Sequence, residues 1–485
     1  MKSTVEKKVV SIPYEAIDPL ALGSAATDQQ IRHDRLQLEV PRENLVANII
    51  PYEPDPVPDV YQATREALLN PVSGPKFTNL IGPDRTLAII IDNQFRPTPT
   101  PRILPAVLDL MDEVGVAGAV VVVANGKVFQ MSEDELHMKI GEENWRRLQA
   151  KNIPVFQNDP PNPNAYRYIG TSSRGTPIWL HREVAAADVK ITIGQTQAAH
   201  WGYSGGGKLI LPGVTSDETI ESNHAAFTLT PATHYGSLSG PLRADIDEVA
   251  TIAGLDATLN VILDTRGRVI YMNFGRHPDA HRIAVNVFNE IYSFTNAQLD
   301  DRPADIAVCG TFAPTDHLFF HTGWGAMSAD LVTREGATII YASPCPGVHT
   351  AIGDFPGLAL MDLMKPYMPP NRRNYERVLR DVHRRKIQMW SGVIWTPIYE
   401  VMTRKRLVLV TDPANLEMAH DIGIEATDSL QQAFDKALER HGKNARVVIL
   451  PYARYQFPAR AFTGYPEAVD GRHAGRIPIM QHALA

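Results

Sequence analysis

A chain of 485 residues exceeds what one hydrophobic core usually holds, so two or three domains are expected. Hydrophobic residues at 44% and charged residues at 21% exclude a disordered or fibrous chain, and Lys+Arg 47 against Asp+Glu 54, a net charge of −7, excludes the basic excess that nucleic-acid and polybasic membrane proteins rely on. Two cysteines exclude a disulfide framework and a Cys-rich zinc or iron–sulfur site.

Residues 1–40 read as a polar, aperiodic extension. Their charges interrupt any apolar run, which argues against a secretory signal. No stretch reaches the roughly 18 apolar residues of a membrane helix. Val114–Ala124 comes nearest and is short and glycine-rich. A soluble cytoplasmic protein is expected, with neither nucleic acid nor membrane as a partner. A first α/β domain is expected over 41–303. Leu87–Asp92 (LAIIID) reads as a buried strand, followed by a proline-rich turn and a helix over Ile103–Val114. Ala119–Ala124 reads as a second buried strand. Ser132 with Glu135 forms the capping box of a helix. Pro154–Asn158 and Asp188–Gly194 add further strands, and the alternation implies a mostly parallel sheet covered on both faces. Asn260–Phe274 reads as a hairpin, followed by a helix over Asp279–Phe294. The polar segment Thr295–Pro303 is the domain boundary. A second, smaller α/β domain spans 304–455, with strands at Asp305–Cys309, Ala337–Ala342, Leu407–Thr411 and Arg446–Leu450. The tail 456–485 is irregular and is expected to pack back on the first domain.

The most informative segment is His200–His224, HWGYSGGGKLILPGVTSDETIESNH. Gly205, Gly206 and Gly207 permit positive φ and close backbone approach, and with Lys208 they suit a phosphate cradle. A tight strand–loop turn with a surface lysine is the other reading. GxxxxGK[ST] is absent, so this is not a Walker A loop. His200 and His224 are either ligands or hydrogen-bonded core histidines. Imidazole suits nickel, zinc or copper, but one histidine alone needs further donors, which an organic cofactor can supply.

The stretch GYSGGGKLILPGVTSDETIESNH resembles the signature of the lactate racemase family, the nickel-pincer nucleotide enzymes. The Lys208–His224 spacing matches. IIIDNQFRPTPTP is similar to the family's Asp-x-x-x-Arg-Pro-x-Pro segment, which places Asp92 and Arg96. The resemblance runs from about Leu36 to Tyr452. It implies two α/β domains with the active site in the interdomain cleft. It further implies a pyridinium bis-thiocarboxylic acid mononucleotide joined to Lys208 as a thioamide, among Asp92, Ser204, Gly205, Gly206 and Gly207. Ni(II) is completed by His224, and other enzymes must make the cofactor. The implied reaction removes hydride from C2 of a 2-hydroxy acid while a base takes the hydroxyl proton, then returns hydride to either face. Arg96 suits the substrate carboxylate; a structural arginine holding loop carbonyls is the alternative.

Three departures stand out. Val128 occupies the position of one of the family's catalytic histidines, and valine takes no proton. The second base matches His200, across a shortened stretch. In PTDHLFFHTGW, His321 stands where the family has glutamine and Trp324 where it has lysine. His321 is a candidate relocated base; with His317, it is otherwise an ordinary polar helix residue. Trp390 or Trp395 matches a tryptophan near the cofactor, and Trp395 is the candidate taken with Trp324 for substrate contact; core packing is the other reading. The departures imply a substrate other than lactate, such as a sugar acid or an aromatic hydroxy acid. A cofactor-binding protein that racemises nothing is the second reading. A metal hydrolase built on His317 and His321 is the third, and it lacks the glutamate of HExxH.

Overall fold

The computed structural model describes residues 6–17, 31–128, 130–199, 202–227, 235–236, 238, 240–312, 319–345, 365–387, 389–421 and 423–459; at 31, 225–227, 319–324 and 389–395 it describes the backbone only. His200 and His317 lie outside these residues, as do the side chains of His321, Trp324, Trp390 and Trp395.

The chain opens with a hairpin of β1 (Lys7–Ile17) and β2 (Ile31–Pro41), paired antiparallel along their whole length. On β1, Val10, Ile12, Tyr14 and Ala16 are buried while Val9 is exposed, the two-residue period of a half-buried strand. Strand β3 (Leu45–Asn48) follows. The first α/β unit holds β4 (Thr86–Asp92), β5 (Gly118–Ala124) and β6 (Val155–Gln157). A hairpin of β7 (Tyr166–Thr171) and β8 (Pro177–His181) precedes β9 (Val189–Gln195). The short pair β10 (Ala198–Ala199) and β11 (Gly202–Tyr203) leads into the glycine loop, and β12 (Ala257–Leu263) and β13 (Val269–Arg276) form the expected hairpin. After the helix Asp279–Tyr292 comes β14 (Ser293–Phe294). The second unit carries β15 (Ala304–Gly310), β16 (Thr333–Ala342), β17 (Arg406–Val410), β18 (Glu425–Thr427) and β19 (Val447–Leu450), and β20 (Phe457–Pro458) ends the described chain.

The first sheet runs β13-β12-β9-β4-β5-β6 and is parallel except for the β12–β13 pair. Strand β4 is apolar along its length because both faces are covered. Ala88 and Ile90 join one cluster; Leu87, Ile89 and Ile91 join the other. The second sheet runs β18-β17-β16-β15-β19-β3, all parallel.

Two expectations about domain limits are corrected. The 1–40 segment is not a bare extension: Val10, Ile12, Tyr14, Leu38 and Val40 pack on Ile306, Val308 and Ile340 and cover one face of the second sheet. Residues 45–48 belong to that same sheet rather than to a first domain beginning at 41, because β3 pairs with β19 at its edge. Strand β20 pairs parallel with β14.

In both sheets the strand order reverses. The chain lays β5 and β6 on one side of β4 and returns to place β9 on the other. In the second sheet β16, β17 and β18 spread one way from β15, and β19 returns to its other side. Ligands of open α/β sheets bind at such reversals, beyond the carboxyl ends of the strands.

Candidate active site at the domain junction

Asp92 is the last residue of β4, and Gln195 ends the neighbouring β9. The Asp92 carboxylate is buried and fully occupied. It accepts from Lys139 Nζ (2.9 Å), Thr98 Oγ1 and the Gln195 amide (3.1 Å). Lys139 also donates to the Arg96 carbonyl at 3.1 Å. These bonds tie the two strand ends together and fix the loop that carries Arg96. Lys139 went unrecognised in the sequence, although a lysine between Leu136 and Ile140 on a buried helix face is itself a signal. That helix begins at the expected capping box of Ser132 and Glu135.

The glycine loop starts at the end of β11. Ser204 is likewise internal: its Oγ donates to the Gln195 carbonyl (2.6 Å) and accepts from the Gln197 amide (3.1 Å), which staples the loop to the end of β9. Gly205 (φ 79°) and Gly206 (φ 55°) are left-handed, as side-chain-bearing residues rarely are; Gly207 is not. Beneath them lies a buried polar set that the sequence reading missed. Arg243 donates to the Tyr203 carbonyl (3.1 Å), to Asp247 (2.8 Å) and to His281 Nδ1 (3.2 Å). A guanidinium only donates, so Nδ1 accepts and Nε2 carries the proton, which it donates to the Ser204 carbonyl at 2.8 Å. His281 is held neutral, and burial pushes its pKa down to about 3.

Lys208 follows directly and is partly exposed. Desolvation and the charges of Arg243 and Arg96 hold its amine well below the ordinary lysine range. His224 is buried on the helix Asp217–Phe227, whose acidic first turn meets Lys127: Nζ lies 3.2 Å from Asp217 and also pairs with Glu221. Burial, with the charges of Lys208 and Lys127, pushes His224 down to about 3, so the imidazole is neutral. Arg96 is pushed down to about 10 by burial and by Arg454, against the pull of Asp92. The charge of Arg96 thus acts on Lys208, and that of Lys208 on His224. In the turn after β5, which carries Val128, the Gly126 amide donates to the Gly213 carbonyl at 3.0 Å.

The second unit reaches the same place. Tyr455 is buried after β19 and accepts from Gln195 Nε2 at 2.8 Å. Its ring packs on Phe288 and Tyr292 of the first unit and Phe312 of the second. One apolar cluster runs through this junction from Ala88 and Ile90 to Cys309 and Leu450.

Gln195 Oε1, Thr196 Oγ1, both ends of Gln197 and Asn125 Oδ1 are buried and have no hydrogen-bond partner among the described residues. Such atoms at strand ends are expected to meet a ligand or water. An amine held below the ordinary lysine range and a neutral imidazole lie near the charges of Arg96, Arg243 and Lys127, residues that fit a phosphate-bearing group joined to Lys208 with its metal on His224.

The lactate racemase N-terminal domain model matches residues 31–236, and the C-terminal domain model matches 299–453. The chain belongs to the lactate racemase family. It is 24% identical over 395 residues to the lactate racemase of Lactiplantibacillus plantarum, covering 80% of this chain and 89% of that one. The lactate racemase of Thermoanaerobacterium thermosaccharolyticum is also 24% identical, over 396 residues (80% of this chain, 88% of that one). Among solved structures, the lactate racemase apoprotein of T. thermosaccharolyticum superimposes with a TM-score of 0.78 at 22% identity, over 93% of this chain and 100% of that one. A Thermotoga maritima protein superimposes with a TM-score of 0.61 at 18% identity, over 84% and 99%. The relationship supports a racemase-type activity for this family member, on a two-domain α/β fold. Among the described residues no helix is long and apolar enough to cross a membrane.

Proposed function

We propose that this family member racemises or epimerises a 2-hydroxy acid other than lactate, using a nickel-pincer nucleotide joined to Lys208. The observation that supports the reading is that the Lys208 amine lies near enough to act on the buried His224 imidazole, and Arg96 near enough to act on the amine. A neutral amine is the form able to attack an acyl or thioacyl carbon. His224, uncharged, keeps a lone pair for nickel. The group, when bound, supplies an electron-poor centre able to take and return hydride. Arg96 orients the substrate carboxylate, and the Asp92–Lys139 pair fixes the loop that presents it. His200 and His321 are the proposed proton acceptors for the substrate hydroxyl.

A substrate larger than lactate is proposed because Val128 and Trp324 replace a base and a cation. The second reading, a cofactor-binding protein without turnover, rests on Val128 alone.

Expression with the cofactor-making enzymes, followed by intact-mass measurement, tests the proposal. The wild type should gain the pincer mass with nickel bound. Lys208→Ala should gain no adduct, and His224→Ala should keep the adduct but lose nickel. Well-folded wild type without an adduct would overturn the proposal. A panel of C2-deuterated 2-hydroxy acids then separates the two readings, because inversion with retained deuterium requires hydride return.

A further inference from the structure

Lys127 precedes Val128 in the turn after β5, and its side chain is largely withdrawn from solvent, at 16% exposure. Its Nζ lies 3.2 Å from Asp217 and also donates to Glu221, both on the helix that carries His224. Asp217 and Glu221 are four residues apart, a spacing at which two carboxylates on a helix repel each other. A shared ammonium turns that repulsion into a clasp. Glu221 in turn stands three residues before His224, on the same side of the helix.

The turn is bound to the lead-in of this helix at further points. The Gly126 amide donates to the Gly213 carbonyl at 3.0 Å. Asn158, wholly buried, donates to the carbonyls of Gly126 (3.3 Å) and Thr215 (3.0 Å), and Tyr166 orients it by donating to its Oδ1 at 3.0 Å. The start of the helix is fixed by the Asp217 amide on the Pro160 carbonyl (3.2 Å) and by Thr219 Oγ1, which accepts from the Trp179 amide (2.9 Å). Lys127 grips Glu221 further along, nearer the histidine. On the other side of the helix Asn223 donates to Asp245 at 2.6 Å, on the helix Pro241–Ile252. His224 therefore lies between two side-chain ties, and Lys127 supplies the cation of one of them.

We infer that Lys127 is a positioning residue for the metal: by clasping Asp217 and Glu221 it fixes the helix that presents the His224 imidazole. The inference rests on the function proposed above, which gives nickel to His224. It assigns the turn that carries Val128 a holding task, which needs no ionisable group at 128. Groups that orient a metal ligand from behind set its affinity as surely as the ligand itself.

Nickel retention is the readout. Protein bearing the Lys208 adduct and nickel is challenged with excess EDTA, and nickel loss is followed by native mass spectrometry. Lys127→Met should form the adduct but lose nickel about tenfold faster than the wild type, the scale seen when a residue supporting a metal ligand is removed. Lys127→Arg, whose fork can reach both carboxylates, should restore most of the retention. Arg147→Met removes a comparable pairing, with Asp109 and Asp112 on the helix Thr100–Val114, and should hold nickel as the wild type does. It separates lost positioning from a general fall in stability. Hydrogen exchange reads the clasp in protein without cofactor: residues 217–227 should exchange several-fold faster in Lys127→Met, and residues 100–114 should not. Wild-type nickel retention in Lys127→Met, or an equal loss in Arg147→Met, overturns the inference. A wild type that forms no adduct or holds no nickel counts against the proposed function, and unchanged exchange over 217–227 in Lys127→Met would then remove the clasp as well.

Discussion

Substituting Gly206 by alanine tests how the glycine loop presents Lys208. The backbone at Gly206 is left-handed (φ 55°), and a β-carbon there would stand 2.7 Å from His281 Cγ and 2.8 Å from Cδ2. The imidazole cannot swing aside without breaking its bonds to the Ser204 carbonyl and Arg243. Overpacking in a filled core costs about 1–3 kcal/mol, and the left-handed conformation adds roughly 1–2 kcal/mol for a residue with a side chain. Gly206→Ala should therefore destabilise the fold by about 2–5 kcal/mol, far outside the roughly 0.5 kcal/mol of an ordinary surface change. Because Lys208 lies two positions on, adduct occupancy by intact mass should fall with stability. Chemical denaturation gives the first quantity. A double-mutant cycle isolates its cause: His281→Ala removes Cγ and Cδ2, so Gly206→Ala should cost at least about 1 kcal/mol less in that background. Strict additivity, or a Gly206→Ala protein as stable as the wild type, would refute the packing argument.

Other expectations follow from the same structure. Burial pushes His181 and His277 down to about 4 and His281 to about 3, whereas an unfolded histidine titrates near 6.5. The unfolded chain therefore takes up protons first as pH falls. Stability should be full above about pH 6.5 and drop by about 1.4 kcal/mol per pH unit for each such histidine until the folded values are reached; denaturation midpoints at pH 7, 6 and 5 check the slope. Lys139→Met leaves the Asp92 carboxylate buried without its cation and should cost about 3–5 kcal/mol. Adding Asp92→Asn should recover part of that loss, and full additivity of the two changes in denaturation would count against the pair. Removing residues 1–41 uncovers Ile306, Val308 and Ile340; the truncated protein should aggregate in light scattering, and a monodisperse species of unchanged Tm would refute the role given to the hairpin.

The central strands were legible because β4 and β5 are buried on both faces and read as apolar runs, and β9 sets Val189, Ile191 and Ile193 at alternate positions. The first hairpin was not. Pro13 interrupts the strand pattern, and Lys7, Lys8 and Glu15 hide the alternation of Val10, Ile12, Tyr14 and Ala16. Its packing partners lie at Ile306 and beyond, where no local window reaches. Strand β3 has four residues of intermediate burial, too few to show a period, and exists because β19 offers it an edge. Within the site, Lys208, His224 and Arg96 stand in long motifs. Arg243 and Asp245 are buried beside Leu242, Ile246 and Val249 on one helix, a readable signal that was overlooked.

The distribution of departures bears on what the protein acts upon. Lys208 and His224, with the glycine loop between the end of β9 and the helix Asp217–Phe227, lie in the segment whose sequence resembles the family signature, inside the match to the N-terminal domain model. The loop is held from below by Arg243 and His281 and from the side by Ser204, bonds that leave little freedom to drift. The altered positions lie elsewhere, at the turn after β5 and on the helix Phe319–Val332 that follows β15. A cofactor attached through one rigid loop constrains that loop alone. The opposite wall and the second domain then remain able to change, provided that a base and a carboxylate clamp survive somewhere in the cleft. On the function proposed above, a valine at 128 and a tryptophan at 324 are the changes expected if the hydride chemistry is kept and the acid it acts upon differs.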